Sequence, residues 1–214
     1  MAKLSKKAKD IIEQTKGLSK LGDLRKIAKE IKVDHELGLE LWSSGEYMPM
    51  MLSLLIMDKK VLDNQKVNAM IEDIEGHDEK ESLQLVDWLL GNQLMKHKKF
   101  AGLMDSWVDD KSPLKRRIFW FYQSRLRWTG KTAYENTDEL VDRIEKNLSQ
   151  EDPEVQWAMN MTAGWIGIYD KKYRDRLIDL GEMIGLYKGD HVSPGCTPNY
   201  LPEFIEIEVE KRNL

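Results

Sequence analysis

The chain has 214 residues, with 33 basic and 37 acidic side chains and a net charge of -4, which fits one domain or two small ones with a sizeable core. Its single cysteine, Cys196, excludes an internal disulfide framework and points to a reducing compartment. No apolar run approaches the roughly 20 residues of a membrane span. The Lys-rich start MAKLSKKAKDIIEQTK leads into no apolar segment of the secretory kind, so the expectation is a cytoplasmic protein with no membrane contact.

The pattern is helical almost throughout. Leu4, Ala8, Ile11, Ile12 and Thr15 have helical spacing, and Leu24, Ile27, Ala28 and Ile31 repeat it with Lys26, Lys29, Glu30 and Lys32 on the outer face. Asp34 is placed to cap HELGLELW, and Gly45 separates that helix from EYMPMMLSLLIM, where Pro49 falls in the first turn. Asp63 precedes QKVNAMIEDI, and EKESLQLVDWLLGNQLM and KKFAGLMDSWV follow. Ser112-Pro113 opens a basic helix, Thr137 is placed to cap DELVDRIEKNL, and Asp152-Pro153 opens EVQWAMNMTAGWIGIY, with DRLIDLGEMIGLY after it. Residues 189–202, GDHVSPGCTPNYLP, read as a Pro/Gly loop. EFIEIEVEKR then alternates apolar and charged residues, as a strand does. A lone strand has no partner in a helical chain, so a short helix or an extended packed tail is expected. The domain reading is a helical-repeat domain over 1–188, with the loop and tail, 189–214, packed on the same domain.

Three places share one form: LWSSGEYMPMMLSLLIM, DSWVDDKSPLKRRIFWFYQ and NLSQEDPEVQWAMNMTAGW, about 65 and about 40 residues apart. Each ends one helix, turns through polar residues and begins a strongly apolar helix. Antiparallel helix pairs at such spacing read as an all-α, HEAT-like repeat α-solenoid; an irregular helical bundle is the alternative.

From Lys111 to Lys131 the chain carries seven basic residues and no acidic one, with Phe119, Trp120, Phe121, Tyr122 and Trp128 among them. A basic run inside an acidic protein fits a polyanion, and aromatics within it suit either stacking on bases or core packing. On a helical wheel Arg116, Trp120, Gln123 and Arg127 form one stripe, and Leu114, Ile118, Phe119, Phe121, Tyr122 and Leu126 lie opposite. The second set reads as core. The first reads as a basic face, either lining a concave groove or simply solvated, with Trp120 at its edge.

Some chemistry is excluded. The chain has no Gly-rich phosphate loop. His35, His77, His97 and His191 are scattered and read as surface residues, so no metal is expected. His191 and Cys196 share a loop, but a nucleophilic triad lacks its third member. Asp87, in SLQLVDWLL, stands among apolar neighbours on a face with Leu83 and Leu90. It is rim-exposed, paired with a base such as Arg116, or functional.

LRKIAKEI, ELGLELWSSGEY, SLQLVD, PLKRRI, VQWAMNM and CTPNYLPEFIE, taken in order, resemble the AlkD-like DNA alkylation repair family. The resemblance implies a HEAT-like solenoid that cradles duplex DNA in a concave basic groove. It also implies excision of cationic N-alkylated purines without metal or cofactor, and without flipping the lesion into a pocket. It places the electrostatic carboxylate on Asp87 and a phosphate-contacting Arg on Arg116; the rest of the wheel stripe, Trp120, Gln123 and Arg127, with Lys115 or Arg117 beside it, supplies the further expected DNA contacts. The family's two flanking Trp positions fall on Leu83 and Met161, neither of which is Trp here. Trp88 and Trp157 are the nearby rings able to wall a lesion site. The expected function is DNA binding of the alkylation-repair type by a monomer, with excision through Asp87 if the altered site permits it. A non-catalytic binder of DNA structure and a protein-interaction scaffold are the alternatives.

Overall fold

The structure is a computed structural model that describes residues 4–214. Among the described residues the regular elements are all helical: twelve α-helices and two short 3-10 turns. The chain divides into two compact units, Met1–Asp105 and Ser106–Leu214.

The first unit runs α1 (Lys6–Thr15), α2 (Leu21–Ile31), α3 (His35–Trp42), α4 (Tyr47–Ile56), α5 (Asn64–Glu75), α6 (Glu79–Asn92), two 3-10 turns and the short α7 (Ala101–Asp105). The expected caps form. The Asp34 carboxylate accepts from the Leu37 amide at 3.2 Å, and that of Asp63 accepts from the Lys66 amide at 2.7 Å. The Lys7 ammonium, 2.7 Å from Asp34, and the Leu37 N–H together hold the Asp34 carboxyl below its ordinary range. Helices α2, α4 and α6 pack side by side, while α3 and α5 each pack on the next helix in sequence. This two-layer arrangement is what stacked helix pairs produce. The middle helix α4 buries Pro49 through Leu54 on almost every side. Pro49 is tolerated because its missing N–H lies in the first turn, where no intrahelical partner exists.

The second unit runs α8 (Pro113–Arg127), α9 (Thr137–Asn147), α10 (Pro153–Tyr169), α11 (Lys171–Ile184) and α12 (Leu201–Arg212). The same layering recurs: α10 packs between α8 and α12, with α9 and α11 against it. The C-terminal segment is a helix despite its strand-like alternation. Leu201, Phe204, Ile205 and Glu208 are buried at helical spacing, whereas Ile207 and Val209 are only half-buried. Three glycines let α12 approach closely. A Cβ at Gly164 would lie 2.4 Å from the Phe204 ring, one at Gly167 would lie 2.6 Å from Ile205, and one at Gly181 would lie 2.6 Å from Pro202.

Two local expectations are corrected. Asn136, not Thr137, occupies the cap position of α9, and the Thr137 hydroxyl donates to the Tyr134 carbonyl at 2.7 Å. Asp152-Pro153 opens α10 as expected, with the Asp152 carboxylate turned to Arg116 at 2.6 Å. His77 is not a surface residue. Its side chain is mostly buried, with Nδ1 2.9 Å from Glu81 one turn on and Nε2 3.2 Å from the Met50 sulfur.

The close seat of α12 gives a direct test. Gly164→Val should lower unfolding stability by roughly 1–3 kcal/mol, the usual cost of overpacking. It should also raise hydrogen exchange in α12 before α8. Denaturant unfolding with an unchanged midpoint would mean that the helix is not held through Gly164.

Candidate nucleic-acid interface

Helix α8 is turned relative to the sequence expectation. Its buried residues are Leu114, Arg117, Ile118, Phe119, Trp120, Gln123, Ser124 and Arg127. Trp120, Gln123 and Arg127 are 2%, 2% and 5% exposed, so three members of the proposed solvent-facing stripe are interior. Phe121, Tyr122 and Leu126, expected in the core, are only half-buried, and Arg125 and Trp128 are exposed. Buried polar groups beside exposed aromatics are the informative departure from ordinary burial.

The inversion is stable because each buried polar group is bonded. The Arg127 guanidinium donates to Gln123 Oε1 at 2.8 Å and to Asn136 Oδ1 at 2.7 Å, and lies 4.7 Å from the centre of the Tyr134 ring. None of its bonding partners is a carboxylate. Burial pushes the guanidinium down to about 10, and it remains charged at neutral pH. The Tyr134 hydroxyl donates to the Leu126 carbonyl at 3.1 Å. Together these contacts fasten the α8–α9 connection to the end of α8. Beneath that connection lies a cavity of about 380 Å³, lined in part by Arg127, Trp165 and Asp138. Its Asp138 is already engaged by Lys172 and Tyr173, which hold the carboxyl below its ordinary range.

Arg116, Arg117 and Lys115 of α8 are also committed. Arg116 donates through Nε and Nη2 to the two Glu151 oxygens at 3.2 and 2.8 Å, and to Asp152 at 2.6 Å. It also donates to the Asp110 carbonyl at 2.8 Å. Burial works to lower this guanidinium, but the Glu151 and Asp152 bonds and charges outweigh it, and the net shift is upward. Arg116 is therefore the clamp of the α9–α10 turn, with Glu151 and Asp152 as its partners. Arg117 donates to the Glu154 carbonyl at 2.6 Å and stacks 4.8 Å over Trp157. Lys115 is mostly buried, 3.7 Å from the Asp110 carboxylate and 6.0 Å from the Trp107 ring centre.

The residues of the lesion-site reading fall in both units. Leu83, Asp87 and Trp88 lie on α6, and all three are half-buried. The Trp88 indole donates to the Met51 carbonyl at 3.0 Å, and the Arg25 guanidinium stands 4.7 Å over its ring. In the second unit Trp157, Met161 and Trp165 follow one another at four-residue spacing along the half-buried face of α10. Trp157 meets the Phe121 ring edge-on at 5.2 Å, and Arg212 stands 5.2 Å from Trp165. Among the described residues no group of three or more His, Cys, Asp or Glu is placed to hold a metal ion. No helix is long and apolar enough to cross a membrane.

Layered helix pairs, with an aromatic and basic face on α8 and α10, define a helical-repeat protein. The family model of the DNA alkylation repair enzymes matches residues 17–179, and the chain belongs to that family. A solved structure from "a new family of proteins related to the HEAT-like repeat DNA glycosylases with affinity for branched DNA structures" is similar at a TM-score of 0.67. The match covers 99% of this chain and 91% of that one at 18% identity, and establishes the HEAT-like repeat fold of the α-solenoid class expected from the sequence. No curated protein matches the chain.

Sequence reasoning missed Glu151 as the partner of Arg116, and it gave Arg125 no role. The signal for Glu151 was present in the acidic SQEDPE turn, which supplies a carboxylate just before a Pro-initiated helix. The buried network also makes a prediction. Arg127→Met removes the donor shared by Gln123 Oε1 and Asn136 Oδ1 and should cost roughly 2–4 kcal/mol of stability. Limited proteolysis should then cut first within 129–136. A variant as stable as the parent would return Arg127 to the exposed role first expected for it.

Proposed function

We propose that this chain is a DNA-binding protein of the alkylation-repair type that recognises DNA structure, with little or no base excision. One observation carries this reading: the rings that would replace the missing Trp pair are already covered. Arg25 lies 4.7 Å over Trp88 and Arg117 lies 4.8 Å over Trp157. A cationic alkylated purine is held by an aromatic face through the ring quadrupole. A guanidinium already stacked on one face of such a ring draws on its quadrupole and opposes a second cation. Leu83 and Met161 offer no quadrupole in compensation.

Family membership supports DNA as the partner, and the affinity of a structural neighbour for branched DNA supports a structured form of it. Duplex DNA remains the simpler ligand to compare. Phosphate contact on α8 falls to its uncommitted cations and not to Arg116, whose donors face carboxylates. Asp87 favours the alternative, residual excision of cationic N-alkylpurines by stabilising positive charge that develops on the sugar.

Binding and chemistry separate in one set of measurements. Affinity for a four-way junction should exceed that for a matched duplex by about tenfold or more, ~1.4 kcal/mol. It should fall with salt at a log–log slope of about -0.9 per phosphate neutralised. Base release from methylated duplex should be no faster for the parent than for Asp87→Asn. Leu83→Trp combined with Met161→Trp should increase it if a degraded excision site persists. Salt-independent or absent DNA binding would leave the protein-scaffold reading standing instead. Parental release that falls about 10²–10³-fold in Asp87→Asn would establish the enzyme.

A further inference from the structure

We infer that the C-terminal end of α8 is a base-stacking platform, with Trp128 as the ring that receives an unstacked nucleobase and Arg125 and Lys131 as its phosphate contacts. The inference rests on the DNA-binding reading above and names the element that would give it selectivity for branched DNA.

Trp128 is 43% exposed, and it is the one tryptophan of the chain among the exposed large hydrophobic residues. Large aromatic rings are costly to leave in water, and a fixed one with a cation at its face is suited to stacking. The Arg125 guanidinium lies 3.9 Å from the Trp128 ring centre, the tightest such contact in the molecule. Phe121, four residues before Arg125 and half-buried, continues the same helix face and meets Trp157 edge-on.

Charge points the same way. Of the seven cations from Lys111 to Lys131, Arg116 and Lys115 face carboxylates, Arg117 and Arg127 are buried, and Lys111 is exposed ahead of α8. Arg125 and Lys131, both exposed, make no ion pair among the described residues, and they flank Trp128 in sequence. The next acidic residue after the run is Glu135. Arg125 and Lys131 are solvent-facing cations on this segment, and a phosphate strand complements them.

The platform is also held in place. Gly130 turns with φ +62, and a Cβ there would fall 2.2 Å from the Tyr169 ring, so the turn sits directly on α10. The Gly130 amide bonds the Arg127 carbonyl at 2.9 Å, and the Arg127–Tyr134–Asn136 contacts fasten the rest of the connection. A ring fixed before binding loses little rotamer entropy when a base stacks on it. A paired duplex keeps its bases stacked inside and offers such a ring little, whereas a fork or junction exposes bases at the branch point.

The test compares a fork carrying unpaired bases with a matched duplex, by fluorescence anisotropy at one salt concentration. The proteins are the parent, Trp128→Ala, Trp128→Phe and Arg125→Ala, each checked for helicity by circular dichroism. Trp128→Ala should weaken fork binding by on the order of tenfold or more, as loss of one base–aromatic stack does. Its duplex affinity should change less than about twofold, and Trp128→Phe should retain most of the fork affinity. Arg125→Ala should weaken both ligands and flatten the salt dependence by about one contact. Unchanged fork binding in Trp128→Ala, with parental binding intact, would overturn the platform and leave the DNA reading standing. Equal loss on fork and duplex would overturn its selectivity for unstacked bases. A parent that binds neither DNA would overturn both.

Discussion

The second unit depends on the burial of α10. Helices α8, α9, α11 and α12 all pack against it, and its interior positions run from Val155 to Ile168 with few gaps. A helix buried on that many sides cannot carry long polar side chains inward. It carries alanine, glycine and threonine there instead, and the Thr162 hydroxyl donates to the Trp120 carbonyl at 2.7 Å. Gly164 and Gly167 remove the side chains that would keep α12 away. Along the middle of the helix the row of Trp157, Met161 and Trp165 remains half-buried. Aromatics reach the rim of this unit because most other positions of its central helix are committed to close packing.

The same constraint sorts the arginines. Helix α8 must present Leu114, Ile118, Phe119 and Trp120 to the interior, and that orientation draws Arg117 and Arg127 inward with them. A buried guanidinium is tolerated only where its donors are satisfied. Each is met by backbone carbonyls, side-chain amides and an aromatic face: Arg117 by the Glu154 carbonyl and Trp157, Arg127 by Gln123, Asn136 and Tyr134. Arg116, nearer the surface, is neutralised by Glu151 and Asp152. The basic run is thus spent largely on holding turns to helices. The electrostatic footprint that a partner meets is smaller than the sequence count and lies at one end of α8.

Much of the fold was legible in the sequence because helix starts are local. Asp34, Asp63 and Ser112 cap as their spacing predicts, and the glycine and proline punctuation falls between the helices it separates. The orientation of α8 was not legible. A wheel divides residues by polarity, and on this helix both faces mix rings and cations, so polarity does not decide which face packs. The decision comes from tertiary partners such as Asn136 and Glu151, which are distant on the wheel and invisible to it. The tail left two forms open, a short helix or an extended segment, for a related reason. Alternation in EFIEIEVEKR is local, whereas the helix is selected by the glycine-lined seat on α10 and α11. The carboxylate Asp87 stood out among its apolar neighbours, but an Asp there has several ordinary explanations, and only family resemblance suggested a role for it.

On the reading proposed above, the covered rings explain how a repair-type fold binds DNA without excising a base. Stacking a cationic purine and stacking a guanidinium draw on the same quadrupole, so an internal arginine competes directly with the lesion for the ring. The competition is uneven, because an internal group pays no translational cost and Arg117 is also fixed by a carbonyl. Its reward is rigidity: Trp157 is locked between Arg117 and Phe121, and α8 is tied to α10 through the pair. A surface rigid in this way does not adapt to the sugar of one damaged nucleotide. It presents fixed rings and a few fixed charges to whatever strand geometry fits them, which is the physical basis of recognising DNA by structure rather than by lesion.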